Sequence, residues 1–307
     1  MDVVLVGAGP VGIAAAQAAL DDGVARRMVA VVDRDPGAAA EGARILGTRA
    51  AGSVDDLAPG DRRSAALLTF SSRAESTTPV ARSVVDRGYH VVTTCEQLAA
   101  PDGQMAESLD RMARAADRSV VVTGANPGFA MDRLPVLAAT ACRNVSSIEV
   151  RRVVDTSTRR GPLVAKTGRG LTSTDFDRMV GEGAIGHVGL AESARLVAAG
   201  MGWDAQGPVE ERIDPVLDGA FVSGIHQTAR LVTGGRTVLL DLTMAWKVSD
   251  PSDTIVIGAE PPLRLVIPGG YHGDLGTAAQ VVAGMRMCLV VEPGLHLPID
   301  LPVTPHR

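Results

Sequence analysis

The chain has 307 residues, about twice the length of an average domain, so two lobes are expected. Its composition, 46% hydrophobic and 21% charged, excludes a disordered tail, a collagen and a coiled coil. Thirty basic against 35 acidic side chains leave a net charge of -5 without long like-charge runs, which removes the electrostatic reason to bind nucleic acid.

No apolar stretch reaches the roughly 20 residues that cross a bilayer, and the opening MDVVLVGAG carries no basic region or cleavage site, so neither export nor a membrane is expected. The cysteines Cys95, Cys142 and Cys288 lack CxxC spacing, which argues against a disulfide framework or a zinc knuckle and for the cytoplasm. Among the 30 basic residues only Lys166 and Lys247 are lysines, so each is singled out.

Residues 2–6 (DVVLV) read as a strand, the alanine-rich stretch 11–20 as a helix, and residues 28–33 as a second strand. Further β-branched runs end near Phe70, Thr94 and Thr123, with helix-like segments at about 36–46, 74–87 and 103–116 between them. Strands alternating with helices predict an α/β fold with a doubly wound parallel sheet, covered on both faces. After about residue 145 the rhythm changes to longer alternating runs, SSIEVRRVVD, GIHQTARLV and TVLLDLTMAWKV. The last two flank Thr233-Gly234-Gly235-Arg236 and predict an antiparallel hairpin. Helix-like pieces at about 174–181 and 191–201 would pack on one face, making the second lobe α+β. The expected division is 1–130 for a dinucleotide-binding lobe, 131–273 for a substrate-binding and dimerisation lobe, and 274–307 returning to the first.

Gly7-Ala8-Gly9-Pro10-Val11-Gly12 fits GxGxxG between the first strand and the first helix. Gly7 permits the turn, Gly9 lets backbone amides approach a pyrophosphate, and Gly12 allows close packing of helix on strand, while the helix N-terminus supplies partial positive charge. Asp33 follows Gly12 by 21 residues, the spacing of a ribose-binding carboxylate, so this lobe reads as a Rossmann domain for NAD or NADP. Asp33 repels a 2′-phosphate and tilts the choice toward NAD, whereas Arg34 is able to stack on adenine or pair with that phosphate. Thr69, Phe70, Ser71 and Ser72 follow the next long strand and are expected along the cofactor groove.

Glu96, in Thr93-Thr94-Cys95-Glu96-Gln97-Leu98, follows another strand. A partly desolvated carboxylate there is able to take a proton from a substrate ammonium; equally, it is a charge favoured by a helix N-terminus. Sugar-oxidising nicotinamide enzymes with an EKP motif have a lysine where Gln97 stands, so their proton donor is absent. Asn126, in Gly124-Ala125-Asn126-Pro127-Gly128-Phe129, offers an amide to the nicotinamide or the substrate, or simply turns the chain. Residues 151–170, RRVVDTSTRRGPLVAKTGRG, crowd Asp155, Ser157, Arg159, Arg160, Lys166, Thr167 and Arg169 together. An acid beside cations suits a zwitterion, with Asp155 for an ammonium and Lys166 or Arg159 for a carboxylate. His187, flanked by glycines, and His272 are candidates for the pocket, each equally explained as a loop histidine. His90, His226, His296 and His306 lack metal-ligand spacing, so no metal is expected. Trp203 and Trp246 are assigned to core or interface.

In this order the motifs resemble 2,4-diaminopentanoate dehydrogenase and the related native amine dehydrogenases, which share the layout of dihydrodipicolinate reductase. The residues that carry the resemblance are the glycine loop, Cys95-Glu96, Asn126-Pro127-Gly128-Phe129, and Asp155 with Ser157, Arg159, Arg160, Leu163, Lys166 and Gly168. Gly186-His187-Val188-Gly189-Leu190 with Glu192-Ser193, Gly273-Asp274 with Thr277, and Pro293-Gly294-Leu295 complete it. The resemblance implies NAD(P)-dependent oxidative deamination of a small diamino acid or amine, or the reverse reductive amination of a ketone with ammonia. It also implies a homodimer, a proton-handling Glu96 and a pocket lined by residues 155–167, and Thr167 enters the candidate set on that ground. The paired-histidine and PSGT segments of true dihydrodipicolinate reductases are missing here. The alternatives are an imine reductase and a dinucleotide-sensing regulator without catalysis.

Overall fold

Short β-branched runs alternating with alanine-rich stretches build a parallel sheet, as the sequence predicts. The computed structural model describes residues 1–302; residues 303–307, and His306 with them, lie outside the described residues. The chain forms two units, Met1–Phe129 joined by the segment from His272 onward, and Ala130–Tyr271. The sequence put these borders at 130/131 and 273/274.

The first unit opens with β1 (Asp2–Val6), α1 (Pro10–Asp21), β2 (Arg27–Val32), α2 (Pro36–Ile45), β3 (Arg49–Ala51), β4 (Ser64–Leu68), α3 (Ala74–Asp86), β5 (His90–Thr93), α4 (Gly103–Ala115) and β6 (Ser119–Val122). Every residue of β4, β5 and β6 is buried, the mark of a sheet covered on both faces.

The second unit comprises α5 (Arg133–Ala139), β7 (Arg143–Asp155), α6 (Gly161–Ala165), α7 (Ser173–Gly181), α8 (Leu190–Gly200), β8 (Val209–Asp218), β9 (Phe221–Thr233), β10 (Arg236–Ala245), β11 (Ser252–Glu260) and β12 (Leu263–Pro268). These strands form a six-stranded sheet in the order β12-β11-β7-β10-β9-β8. β7 and β10 run parallel, and the other neighbours are antiparallel. The β9–β10 hairpin turns through Gly234 and Gly235 at φ of 53° and 76°, a conformation that needs no Cβ. Alternate residues of the central strands, among them Ile148, Val150, Ile225, Leu231, Leu240 and Ile257, enter one core with Leu190, Ala194 and Val197 of α8. On this sheet's strands Val232, Val256 and Val266 keep 45%, 38% and 45% of their surface exposed.

The chain then returns to the first unit through α9 (Gly273–Met287) and β13 (Gly294–His296). Ala15, Ala16 and Ala19 of α1 share a core with Ala278, Val281 and Met285 of α9. β13 adds a parallel edge to β6, completing the seven-stranded order β13-β6-β5-β4-β1-β2-β3.

At the start of this sheet the Arg27 and Arg26 guanidiniums hold the Asp2 carboxyl down at about 2, against 3.8 for an unperturbed aspartate. A depressed folded-state value means that this stabilisation is complete above the unfolded pKa and is lost as pH falls through the folded one. Both arginines are largely exposed, so Asp2→Asn lowers the unfolding free energy by under about 1 kcal/mol at neutral pH. Urea titrations across the acid range should show this deficit closing as pH drops from 3.8 towards 2; a deficit constant with pH contradicts the assignment.

Candidate active site

Three glycines shape the first unit's loop for separate reasons. Gly7 has φ of 100°, and a Cβ there would lie 2.7 Å from Cβ of Phe70. At Gly12 a Cβ would meet the Gly7 carbonyl at 2.3 Å and Thr69 Oγ1 at 2.4 Å, so helix and strand close on each other only without a side chain. Around Gly9 no atom lies within 4 Å of that position, which leaves the loop open to a ligand. Gly9 is also the N-cap of α1, and no side chain caps that helix, so its first-turn amides suit a phosphate.

Gly7, Gly9, Asp33, Arg34, Thr69, Phe70 and Ser71 line a groove of about 520 Å³. Pro10 takes the first position of α1, with Val11 and Gly12 behind it, outside this lining. Asp33 Oδ2 accepts from the Ala8 amide at 2.8 Å, and Oδ1 accepts from the Asp35 amide at 3.0 Å, so this carboxylate ties the glycine loop to the end of β2. Val6 and Val32 at the strand ends, Gly52, Ser53 and Val54 after β3, and Ser76 and Val80 of α3 complete the lining. Gly52–Val54 were not read from the sequence because β3 has only three residues and leaves no periodic signal. An uncapped helix start, an open glycine and a carboxylate at the end of β2 together fit a dinucleotide.

Glu96 follows β5 as the first residue of a short 3₁₀ turn, half-buried, after the buried Cys95. Burial pushes the Cys95 thiol up, which makes it inert packing. The Gln97 side chain accepts from the Ala74 amide at 3.0 Å, and its own amide donates to the Ser72 carbonyl at 3.2 Å, so this residue anchors the start of α3. Asn126 stands half-buried in the tight loop after β6, where a Cβ on Gly128 would lie 2.3 Å from the Gly124 nitrogen. The neighbouring Ala125 amide donates to Thr277 Oγ1 of α9 at 3.3 Å.

In the second unit Asp155 ends β7. Its carboxylate accepts from the Ser157 amide and hydroxyl, both at 2.8 Å, and from the Lys247 amide at 2.9 Å. Burial pushes this carboxyl up, but the bonds from Ser157 and Lys247 outweigh it and hold the acid below its ordinary value. Asp155 and Ser157 thus fix the turn that carries Arg159, whose charge acts on Asp155 and also on the Arg152–Asp253 pair. Lys166 is exposed, and its carbonyl accepts from the Gly186 amide at 3.1 Å, which brings the lysine segment beside His187. Thr167 is buried, its hydroxyl donating to the Val164 carbonyl at 2.7 Å. Arg169 lies over the Trp246 ring, 3.4 Å from its centroid, and Trp203 is buried.

Arg152, Asp253 and Gln227 carry no local signal that singles them out in the sequence. Arg152 was hidden in a charged run and Asp253 in an unread strand, yet both are buried, 4% and 1% exposed. Arg152 donates to Asp253 Oδ2 at 2.6 Å and to the Tyr271 carbonyl, while the Tyr271 amide donates to the same carboxylate oxygen at 2.8 Å. Burial lowers the arginine and raises the aspartate, the direction that desolvation imposes on each charge.

Fold and groove define an NAD(P)-dependent oxidoreductase of the Rossmann type. More specifically, the chain belongs to the family of the 2,4-diaminopentanoate dehydrogenase C-terminal domain, whose model matches residues 129–306. A 2,4-diaminopentanoate dehydrogenase of Acetoanaerobium sticklandii is 28% identical over 273 residues, 82% of this chain and 77% of that protein. The structure of an amine dehydrogenase from Mycobacterium smegmatis matches with a TM-score of 0.83 at 18% identity, covering 100% of this chain and 97% of its own. Biliverdin reductase from Synechocystis sp. PCC 6803, solved with biliverdin and NADP+, matches at 0.60 and 14% identity over 98% and 94%. These structural likenesses show the shared fold.

Removing one member of the buried ion pair strands the other. Arg152→Ala should therefore cost about 3–5 kcal/mol of stability, read from urea unfolding; a loss no larger than that of an exposed ion pair contradicts the burial argument.

Proposed function

We propose that this protein is an NAD(P)-dependent amine dehydrogenase, oxidatively deaminating a small diamino acid or amine and, in reverse, aminating a ketone with ammonia. The observation that carries the reading is the open, uncapped glycine loop in a chain of this family, with the Glu96 carboxylate after β5, two strands along the same sheet from β1. When bound, the nicotinamide supplies the hydride acceptor. The Gly9 amide and the start of α1 hold the pyrophosphate, Asp33 the ribose hydroxyls and Arg34 the adenine, while Gly7, Thr69, Phe70 and Ser71 wall the groove. Asn126 holds the carboxamide.

Glu96 takes the proton from the substrate ammonium, because the carbon gives up hydride only when the nitrogen lone pair is free to form the C=N bond. Arg159 and Lys166 receive a substrate carboxylate. Asp155, with its oxygens already accepting from Ser157 and Lys247, shapes the segment that carries Arg159; Thr167 fixes the turn behind Lys166, and His187 contacts the substrate. A second copy of the chain covers the open face of the second sheet where Val232, Val256 and Val266 are exposed. The free thiols Cys95, Cys142 and Cys288 suit the reducing cytoplasm.

Glu96→Gln should lower kcat for amine oxidation by about 10²-fold or more while leaving the Kd for NADH unchanged in fluorescence titration. Full activity in this variant would refute the role, and failure of any ketone to support ammonia-dependent NADH oxidation would refute the reaction. Because Asp33 faces the ribose with a negative charge, kcat/KM should favour NAD over NADP, and Asp33→Asn should narrow that ratio by about tenfold. An unchanged ratio removes Asp33 from cofactor choice.

A further inference from the structure

His187 stands in Gly186-His187-Val188-Gly189, a stretch outside every helix and strand, with both glycines at positive φ, 123° and 105°. Nothing regular holds such a segment, yet its backbone is fixed on both polar groups. Gln227, on β9 and only 2% exposed, accepts from the His187 amide at 2.8 Å through Oε1 and donates through Nε2 to the His187 carbonyl at 3.0 Å. One side-chain amide thus serves one residue as a neighbouring strand would. Its orientation is dictated, since the backbone N–H requires the oxygen and the backbone carbonyl requires the nitrogen. Nε2 also reaches Glu211 Oε1 on β8 at 3.3 Å, so the amide is itself braced.

One further bond and one close approach bound the same segment. The Gly186 amide donates to the Lys166 carbonyl at 3.1 Å, and a Cβ at Gly186 would lie 2.8 Å from Cδ1 of Ile213. Gln227 alternates along β9 with the buried apolar residues Ile225 and Ala229, and an apolar side chain of its volume would fill that slot without the cost of desolvating an amide. The amide's bonds to His187 are what an apolar replacement would lack. The residue so held carries the one side chain of the segment able to accept and donate protons near neutrality.

We propose that Gln227 is a positioning residue for the amine dehydrogenase reaction: its side-chain amide grips both backbone groups of His187 and so fixes where the imidazole stands relative to the polar groups of the substrate. This rests on the function proposed above. Glu211 acts one step further out, holding Gln227, and the backbone of Lys166 shares the same anchor through Gly186.

The test is a double-mutant cycle on the full-length enzyme, with kcat/KM for the amine and the Kd for NADH as readouts. Gln227→Met keeps the shape and removes the grip; it should lower kcat/KM by about 10²-fold, the scale of a misplaced contact, and leave NADH binding unchanged. His187→Ala should lose a similar factor, and the double variant no more than His187→Ala alone, because Gln227 acts through His187. Losses that multiply in the double variant, or wild-type kcat/KM in Gln227→Met, overturn the proposal. If Gln227→Met fails to fold, His187→Ala decides alone: full activity there overturns it, and the expected loss supports it. A wild-type protein that oxidises no amine with NAD or NADP overturns the functional reading and this inference together, whereas an active wild type with an unaffected Gln227→Met overturns the positioning role only.

Discussion

The first unit depends on one close approach, where the turn after β1, the start of α1 and the end of β4 meet with no room for a Cβ at Gly7 or Gly12. Thr69 stitches the contact by donating its hydroxyl to the Gly7 carbonyl at 3.0 Å and its amide to the Val6 carbonyl at 2.9 Å. Because the backbones meet there, Phe70 and Ser71 arrive at the same groove as Gly9 and Asp33. The small face of α1 extends the same economy of volume: with alanine at 15, 16 and 19, a helix from the far end of the chain shares its core. A dinucleotide groove therefore follows from packing constraints before any ligand contact is considered.

The second unit solves a different problem. Its functional candidates lie on irregular segments, which cannot satisfy their own backbone groups and need partners from the sheet. Four buried or half-buried side chains supply them: Asp155 for residues 157 and 247, the Arg152–Asp253 pair for Tyr271, and Gln227 for His187. Each of these anchors, the pair counted as one, holds its segment by two or more bonds to backbone groups, so each fixes a direction as well as a position. Burying polar side chains such as Arg152, Asp253 and Gln227 is costly, and here they stand where a loop must be held still.

Much of this architecture was legible in the sequence because periodicity and glycine placement report backbone geometry directly. The runs at 2–6 and 28–33, the glycine loop, Asp33 and the Gly234-Gly235 hairpin are local signals, and the structure forms those elements where they were read. β3 and β13, three residues each, were not read, because a strand that short exists only through its neighbour. The residues that hold the second unit's loops were missed for a related reason: Gln227 sits 40 residues from His187, and Asp253 sits 101 from Arg152. Such pairings are long-range, and no spacing rule announces them. Asp155 and Ser157 were visible as a polar pair, but the carboxylate's three internal bonds, one from a residue 92 positions away, appear only in three dimensions.

The position after Glu96 illustrates how one substitution selects a chemistry. Oxidising an alcohol requires removing a hydroxyl proton of very high pKa, a task that suits a lysine working at that strand end. An amine substrate presents an ammonium, whose pKa resembles the roughly 10.4 of lysine, so it brings its own labile proton on nitrogen. Here the place of a lysine is taken by Gln97, whose side chain and backbone are bonded to the start of α3. Cys95, pushed up by burial, and Gln97, bonded on side chain and backbone, leave Glu96 as the carboxylate of that turn, to which the proposed function gives the proton transfer. A single carboxylate suits a substrate that brings its own labile proton on nitrogen, which is the physical reason the amine reading fits this strand end better than a sugar alcohol does.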